Sequence, residues 1–486
     1  MASERNHRPL SRRQFLRGLL LVGGTTLVGA CAPAPATPEV RVVKETQVVQ
    51  QTVTVKETVV VKEPAKAGGP IVVRFSVWPY LYDRAAYDTI ADRFNEEHAD
   101  IKVIPEQYMG AYYEKIQTNF AGGTSADVLY FQGWSWQAYA DKELLVPLDD
   151  YIKKDNWTAP WPDLELYNNY AKWHGHTFMS PADSGAVILF YNKQLFEKRG
   201  VPLPTPNWTL DDLKSAIEKL TFEENGVKYY GWAQAAGWNG AYCRIQHFWR
   251  TNGALEVDRV VEPREARFTL PEVVDAFQYF VYDTTANGFS PTPAAIAGGG
   301  VSIATGRVAM CMEGPWTLVM MSGDQAVVEG GLPFDVINPP VGTAGFVDTE
   351  AETSGHVISK QSKNPEAAWE LIKYISSDVG QKAIADGGRM CGTPEMCKKH
   401  WIDNVGKKYN FQGAHFFVEA MHNKARGVIV GGAGANFDAF LSAEGGLNVA
   451  RDQMLGGQKR AKEALEEANA KLQKLLDEYW KKKGEK

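Results

Sequence analysis

From about residue 70 onward the chain is predicted to be an α/β protein in two lobes, on three observations. Between residues 71 and 139, apolar β-branched runs alternate with helical stretches of ten or so residues. That alternation implies parallel strands joined by crossover helices. The chain has 486 residues, so the part beyond residue 70 exceeds one ordinary core and divides into two lobes. Amphipathic helices then recur around residues 209–220, 364–376 and 458–480.

The first element is not a domain. Arg12 and Arg13 precede an uncharged stretch from Gly18 to Ala30. It is shorter than the roughly 20 apolar residues that a membrane-spanning helix needs. A basic start before a short apolar stretch is an export signal, and paired arginines point to the route that carries folded cargo. Leu27-Val28-Gly29-Ala30-Cys31 is similar to a lipobox. Residues 1–30 are therefore expected to be a twin-arginine lipoprotein signal peptide, cut before Cys31, whose thiol is lipidated. Residues 31–69 follow as a flexible tether. "VKET" occurs at 43–46 and again at 55–58, and Pro33, Pro35, Pro38, Pro64 and Gly68-Gly69 favour an extended spacer. This places the protein on the extracytoplasmic face of the cell membrane, held by lipid.

"IVVRFSVW" (71–78), "IKVIPEQ" (101–107) and "ADVLYFQ" (126–132) are strands, each followed by a helix. Ligands in such sheets sit beyond the carboxyl ends of the strands. Those ends read Trp78-Pro79-Tyr80 and Gln132-Gly133-Trp134-Ser135-Trp136. Residues 173–200 form a short hairpin turning at His174-Gly175-His176, a connector, and a strand leading into a helix. Thr209 and Asp212 make a capping box, with Leu210, Leu213, Ile217 and Leu220 along one helical face. Asn364 caps the next helix and Pro365 takes its first position, with Ala368, Leu371, Ile372 and Ile375 as the buried stripe. The last helix buries Ala461, Leu465, Ala468, Leu472, Leu475 and Leu476.

Charge and cysteine usage exclude several functions. The formal net charge is −6, and residues 1–30 hold five arginines and one glutamate, so the remainder carries about −10. An acidic balance argues against nucleic acid as a partner. Four cysteines follow Cys31: Cys243, Cys311, Cys391 and Cys397. Cys391 and Cys397 flank a Gly-Thr-Pro turn and could pair, although connectivity is not legible in sequence. His174 and His176 lack an evident third ligand, so no metal or cofactor is expected. No GxxxxGK[ST] occurs, so the chain hydrolyses no ATP itself. No GxSxG and no recognisable catalytic carboxylate motif occurs either.

"DRFNEEHADIKV", "FAGGTSADVLYFQGW", "LFYNKQLFEKRGVPLPTPNWTLDDL", "GRVAMCMEGPW" and "NPEAAWELIKYISSDVGQKAIADGG" stand in that order. Each is loose alone, but the ordered set resembles the family-1 extracellular solute-binding proteins of ABC importers, the group that includes maltose-binding protein. The resemblance implies a two-lobed, type II periplasmic-binding-protein-like fold, each lobe a sheet flanked by helices, with a cleft and hinge between. By that analogy lobe one is 70–180 plus 308–358, and lobe two is 182–306 plus 360–486. Connectors are implied near Pro181, Thr305 and Ser359. The implied protein is a monomeric, non-enzymatic binder that hands a mono- or oligosaccharide to an ABC permease and its ATPase subunits.

A sugar needs flat aromatics for its C–H faces and polar groups around its rim. Covering one sugar face with an indole contributes about 2 kcal/mol at ~25 cal/mol per Å². The candidates lie where the fold places cleft loops: Trp78, Tyr80, Trp134, Asp183, Trp232, Trp238, Asn239, Glu313, Trp316 and Arg389. Gln234, Trp136 and the glycines around Trp238 accompany them. Trp369, on a helix face, is read as core. A glycerophosphate is the alternative ligand, with Arg244, Arg250 and Arg389 available. Iron binding would use paired tyrosines, but Tyr112-Tyr113 and Tyr229-Tyr230 are read as packing residues. An extracellular glycosidase, needing two carboxylates ~5–10 Å apart, and a structural adhesin are the remaining classes.

Overall fold

The computed structural model describes residues 69–484, apart from 79–80, 110, 234–239, 298–300, 322–332, 346, 410–411, 423–439 and 441–444. The signal peptide, the tether, Cys31, Tyr80, Gln234, Trp238 and Asn239 lie outside the described residues.

The alternation read from the sequence is present: β1 (Ile71–Val77), α1 (Leu81–Glu97), β2 (Ile101–Gln107), α2 (Tyr112–Ala121) and β3 (Val128–Gln132). β1 pairs in parallel with both β2 and β3. The helix expected after β3 is only one short turn, Gln137–Ala140. A hairpin at Lys172–Trp173 and His176–Thr177 turns through His174 and Gly175, both at positive φ. β4 (Leu145–Val146), β5 (Ser180–Ala186) and the late strand Ala351–Ser359 complete one sheet. That late strand runs antiparallel to β3, β4 and β5.

A second sheet holds β6 (Ile188–Asn192) between two antiparallel neighbours. Before them in the chain comes α3 (Leu210–Lys219), entered through the predicted Thr209–Asp212 capping box. The neighbours are β7 (Met310–Glu313) and β8 (Phe334–Ile337). The late strand of the larger sheet is therefore β9 (Ala351–Ser359).

The pairing corrects the expected lobe limits. β7 and β8 fall within 308–358, assigned to lobe one, yet both pair with β6 of the second sheet. Pro181 lies inside β5 opposite Gly355, and Ser359 pairs with Leu145, so neither is a connector. Thr305 precedes a bridge of Val308 to Tyr230, which keeps it with the second sheet. The chain instead crosses between the sheets at Val187 and again within 338–350. The two passages are tied together: Val187 N–H donates to the Glu350 carbonyl at 2.8 Å, and Thr349 Oγ1 donates to the Val187 carbonyl.

α4 (Pro365–Ser376) and α5 (Asp378–Asp386) also leave their expected lobe. They pack on α1, β1, β5 and β9 of the larger sheet. α4 buries Ala368, Leu371, Ile372 and Ile375, as its periodicity requires, and Pro365 opens it. Asn364 holds the N-cap position, but its side chain accepts no capping bond. Trp369 is core, its Nε1 donating to Asp155 at 2.8 Å. α6 (Ala414–His422) packs on β5, β6 and β8, and α7 (Ala461–Lys482) lies on the helix Pro271–Phe277. No described helix is long and apolar enough to cross a membrane.

Candidate functional site

At the carboxyl end of β1 the chain continues into Trp78, which is half-buried. Its ring centroid lies 4.9 Å from Tyr112, 5.8 Å from Tyr130 and 5.9 Å from Tyr113. Those tyrosines are held from behind. Tyr112 Oη lies 2.7 Å from Ser76 Oγ and donates to the Tyr130 carbonyl at 2.8 Å; Tyr113 Oη donates to Gln132 Oε1 at 3.0 Å. They are packing residues that set the indole, as the sequence suggested. Tyr229 likewise stacks on Phe222.

Asp183 owes its direction to a bulge. The β5–β9 register shifts between Ser354, opposite Asp183, and Gly355, opposite Pro181, so Ala182 is the extra residue. Bulges re-aim the side chains beside them. Asp183 is 7 % exposed and accepts from Tyr130 Oη at 2.8 Å and Arg389 Nη2 at 3.3 Å. Arg389 arrives on a segment stitched to β5. Ser184 N–H donates to the Met390 carbonyl at 3.2 Å. Gln381 accepts from Gly392 N–H at 2.7 Å and donates to the Ala182 carbonyl at 3.1 Å.

A second cluster forms at the end of β7. Glu313 Oε2 gathers Arg244 Nε and Thr317 Oγ1, each at 3.1 Å, and Trp316 Nε1 at 3.3 Å. The Arg244 guanidinium also sits 5.0 Å from the Trp316 ring centre, a cation–π arrangement. Trp316 reaches the larger sheet: a Cβ on Gly185 would lie 2.8 Å from its Cζ3. Gly185 is two residues from Asp183, hence on the same strand face. The two clusters thus meet across β5, with half-buried indoles, Trp78 and Trp316, one in each.

Two further carboxylates border them. Glu350 is 1 % exposed, and neither of its carboxylate oxygens has a hydrogen-bond partner among the described residues. Burial pushes its carboxyl up to about 7, against the pull of Arg244 and Arg250. Glu352, half-buried, is raised well above the ordinary range by burial, then by Glu350 and Asp183. Arg244 and Arg389 pull against that rise, while Arg250 is fully buried against Glu256, which also accepts from Trp249 Nε1 at 2.6 Å and from Tyr242 Oη.

Of the residues singled out in the sequence, the structure brings Trp78, Asp183, Glu313, Trp316 and Arg389 into this region. Trp134 is 2 % exposed beside Tyr170, and Trp232 is 1 % exposed between Phe248 and Phe280. Both are core and offer no open face. Tyr130, Glu350 and Glu352 were not singled out, and Arg244 only for a phosphorylated ligand. Cys243, Cys311, Cys391 and Cys397 are buried free thiols; Cys397 Sγ donates to the Cys391 carbonyl at 3.3 Å. No cluster of metal-ligating side chains exists among the described residues. Indoles beside hydrogen-bonded ion pairs suit a solute with apolar faces and a polar rim.

An ABC substrate-binding protein from Listeria monocytogenes, solved in complex with cycloalternan, has a similar fold, with a TM-score of 0.70. It is 22% identical, and the match covers 86% of this chain and 100% of that one. A putative binding protein of Brucella abortus is 23% identical over 312 residues, 62% of this chain and 71% of the relative. The sn-glycerol-3-phosphate-binding periplasmic protein UgpB of Escherichia coli is 27% identical over 173 residues, 34% of this chain and 38% of its own length. The family pattern for bacterial extracellular solute-binding proteins matches residues 78–382. With its α/β architecture and two sheets joined by paired crossings, the chain belongs to the bacterial extracellular solute-binding protein family.

Proposed function

We propose that this chain is the substrate-binding subunit of an ABC importer, capturing a mono- or oligosaccharide outside the cell and delivering it unaltered to a membrane permease. The observation that carries the reading is the pair of half-buried indoles, Trp78 and Trp316, in clusters that meet across β5. Between them stand the hydrogen-bonded pairs Asp183–Arg389 and Glu313–Arg244. Unmatched hydroxyls cost about 1–3 kcal/mol each, so these groups choose among sugars. The Listeria neighbour's cycloalternan supports an oligosaccharide ligand. The sheets define the proposed lobes: one built on β1–β5, β9, α4 and α5, the other on β6–β8, α3 and α7. The lipidated Cys31 holds the monomer to the membrane through its tether, and partner subunits hydrolyse the ATP.

The E. coli relative favours glycerophosphate as the second reading. Against it, among the described residues Asp183, Glu313, Glu350 and Glu352 outnumber Arg244 and Arg389 at the site. A thermal-shift screen of the purified full chain against sugars and glycerol-3-phosphate tests both, since a ligand of the native state raises the melting point. A shift with a saccharide, lost in Trp316→Ala, is expected. Shifts with glycerol-3-phosphate alone would transfer the assignment to that ligand, and hydrolysis of the added oligosaccharide would make the protein a glycosidase.

A further inference from the structure

The carboxylates at the site are more than its arginines can neutralise. Arg389 is bonded to Asp183, Arg244 to Glu313, and Arg250 to Glu256. Among the described residues Glu350 and Glu352 are left over, two residues apart and so on one face of the strand path. Glu352 stands opposite Gly185 in the β5–β9 register, and cross-strand partners share a face. The ring of Trp316 fills the space where Gly185 lacks a side chain. Glu352 therefore projects on the face that carries Asp183 and Trp316, with Glu350 behind it, buried and unpartnered on both oxygens.

Burying an unpaired carboxylate costs several kcal/mol unless a proton or a cation discharges it. In the ligand-free protein a proton discharges Glu350, whose carboxyl burial raises to about 7. A cation delivered by the solute does the same and adds charge-assisted hydrogen bonds.

We propose that the solute is a saccharide bearing a protonated amine, and that Glu352, backed by Glu350, receives the ammonium beside the face of Trp316. The inference rests on the saccharide reading above and narrows it. A second cation near an indole gains from the ring's negative face, although Arg244 already occupies part of that field. An N-acetylated sugar lacks the charge and supplies no such cation.

The test is calorimetric titration and thermal shift of the full chain. The probes are glucosamine dimers and trimers, their N-acetylated counterparts, neutral malto- and manno-oligosaccharides of equal length, and glycerol-3-phosphate. Free-amine oligomers are expected to bind about tenfold or more tightly than the acetylated ones. Glu352→Gln should abolish that difference, the free-amine affinity falling by about tenfold or more relative to the acetylated one. Gln keeps the size of Glu352 and its capacity to hydrogen-bond, so the variant is expected to fold, and its unliganded melting curve checks that. Neutral or acetylated oligomers binding as well as the free amines would overturn this inference and leave the saccharide reading standing. Binding of glycerol-3-phosphate alone, or of no saccharide in either class, would overturn both.

Discussion

Glu350 is a carboxyl held where water does not reach, and its titration follows from that. Its folded-state value is raised to about 7, above the ordinary carboxylate value that the unfolded chain regains. The native state therefore holds more protons between roughly pH 4.5 and 7. Its favourable share of stability is complete below the lower value and is lost as pH rises through the upper one. Glu350→Gln is thus expected to leave stability unchanged at pH 4 and to raise it at pH 8, by up to about 3 kcal/mol at ~1.4 kcal/mol per pKa unit. Chemical denaturation at the two pH values reads this directly; equal curves at pH 8 would show that the acid is already discharged by a neighbour. Sequence reasoning missed this residue for a definable reason. "VDTEAETSG" carries no motif, and only the register of β9 against β5 sets Glu352 opposite Gly185, two residues from Asp183, with Glu350 just before the strand opposite Val187. Asp183 was singled out beside an expected connector at Pro181, which the pairing puts inside β5. Glu313 and Trp316 were singled out as loop residues and stand at a strand end and just after it. Trp134 and Trp232 share that kind of position, but sequence does not say which face of a loop turns inward.

At the scale of elements, periodicity and caps carried most of the reading. α3 begins at the predicted capping box, with Thr209 Oγ1 accepting from Asp212 N–H at 3.2 Å and Asp212 accepting from Thr209 N–H at 2.9 Å. Thr209→Ala should cost about 1 kcal/mol, seen as a lower denaturant midpoint. A deeper loss is expected at the segment beneath Arg244. Glu256→Gln leaves Arg250 buried with a weakened partner, and breaking such a pair costs about 3–5 kcal/mol. Gly185→Ala separates affinity from stability. Its methyl would meet Trp316 at 2.8 Å and Pro315 at 3.1 Å, so the indole must shift. Saccharide affinity should fall about tenfold or more while the melting point drops modestly; an unchanged affinity would remove Trp316 from the site. What periodicity could not deliver was partnership: no strand is read from the sequence at 310–313 or 334–337, and only pairing shows that β7 and β8 flank β6.

At the scale of the molecule, the consequence of that pairing is where motion can occur. The larger sheet holds Asp183 and Arg389, the smaller one presents Glu313 and Arg244 with Trp316, and the chain joins the sheets through Val187 and 338–350. Those passages are bonded to each other near Glu350, and the chain passes a third time between α5 and α7, where α6 packs on strands of both sheets. A solute touching both clusters favours a closed arrangement only by its greater affinity for that arrangement. The sequence made two lobes legible through length and strand–helix alternation. It did not place the crossings, because a crossing is defined by which strands pair on either side. Small-angle scattering of the full chain, with and without a saccharide that shifts its melting point, tests the hinge. The radius of gyration should fall on saturation in the native protein. In Glu313→Ala, which removes the anchor of Arg244 and Trp316 on one side, the fall should shrink even at concentrations that restore full occupancy. An unchanged radius in the native protein, despite measured binding, would mean that the solute is held by one sheet alone and that the paired crossings are a rigid strut.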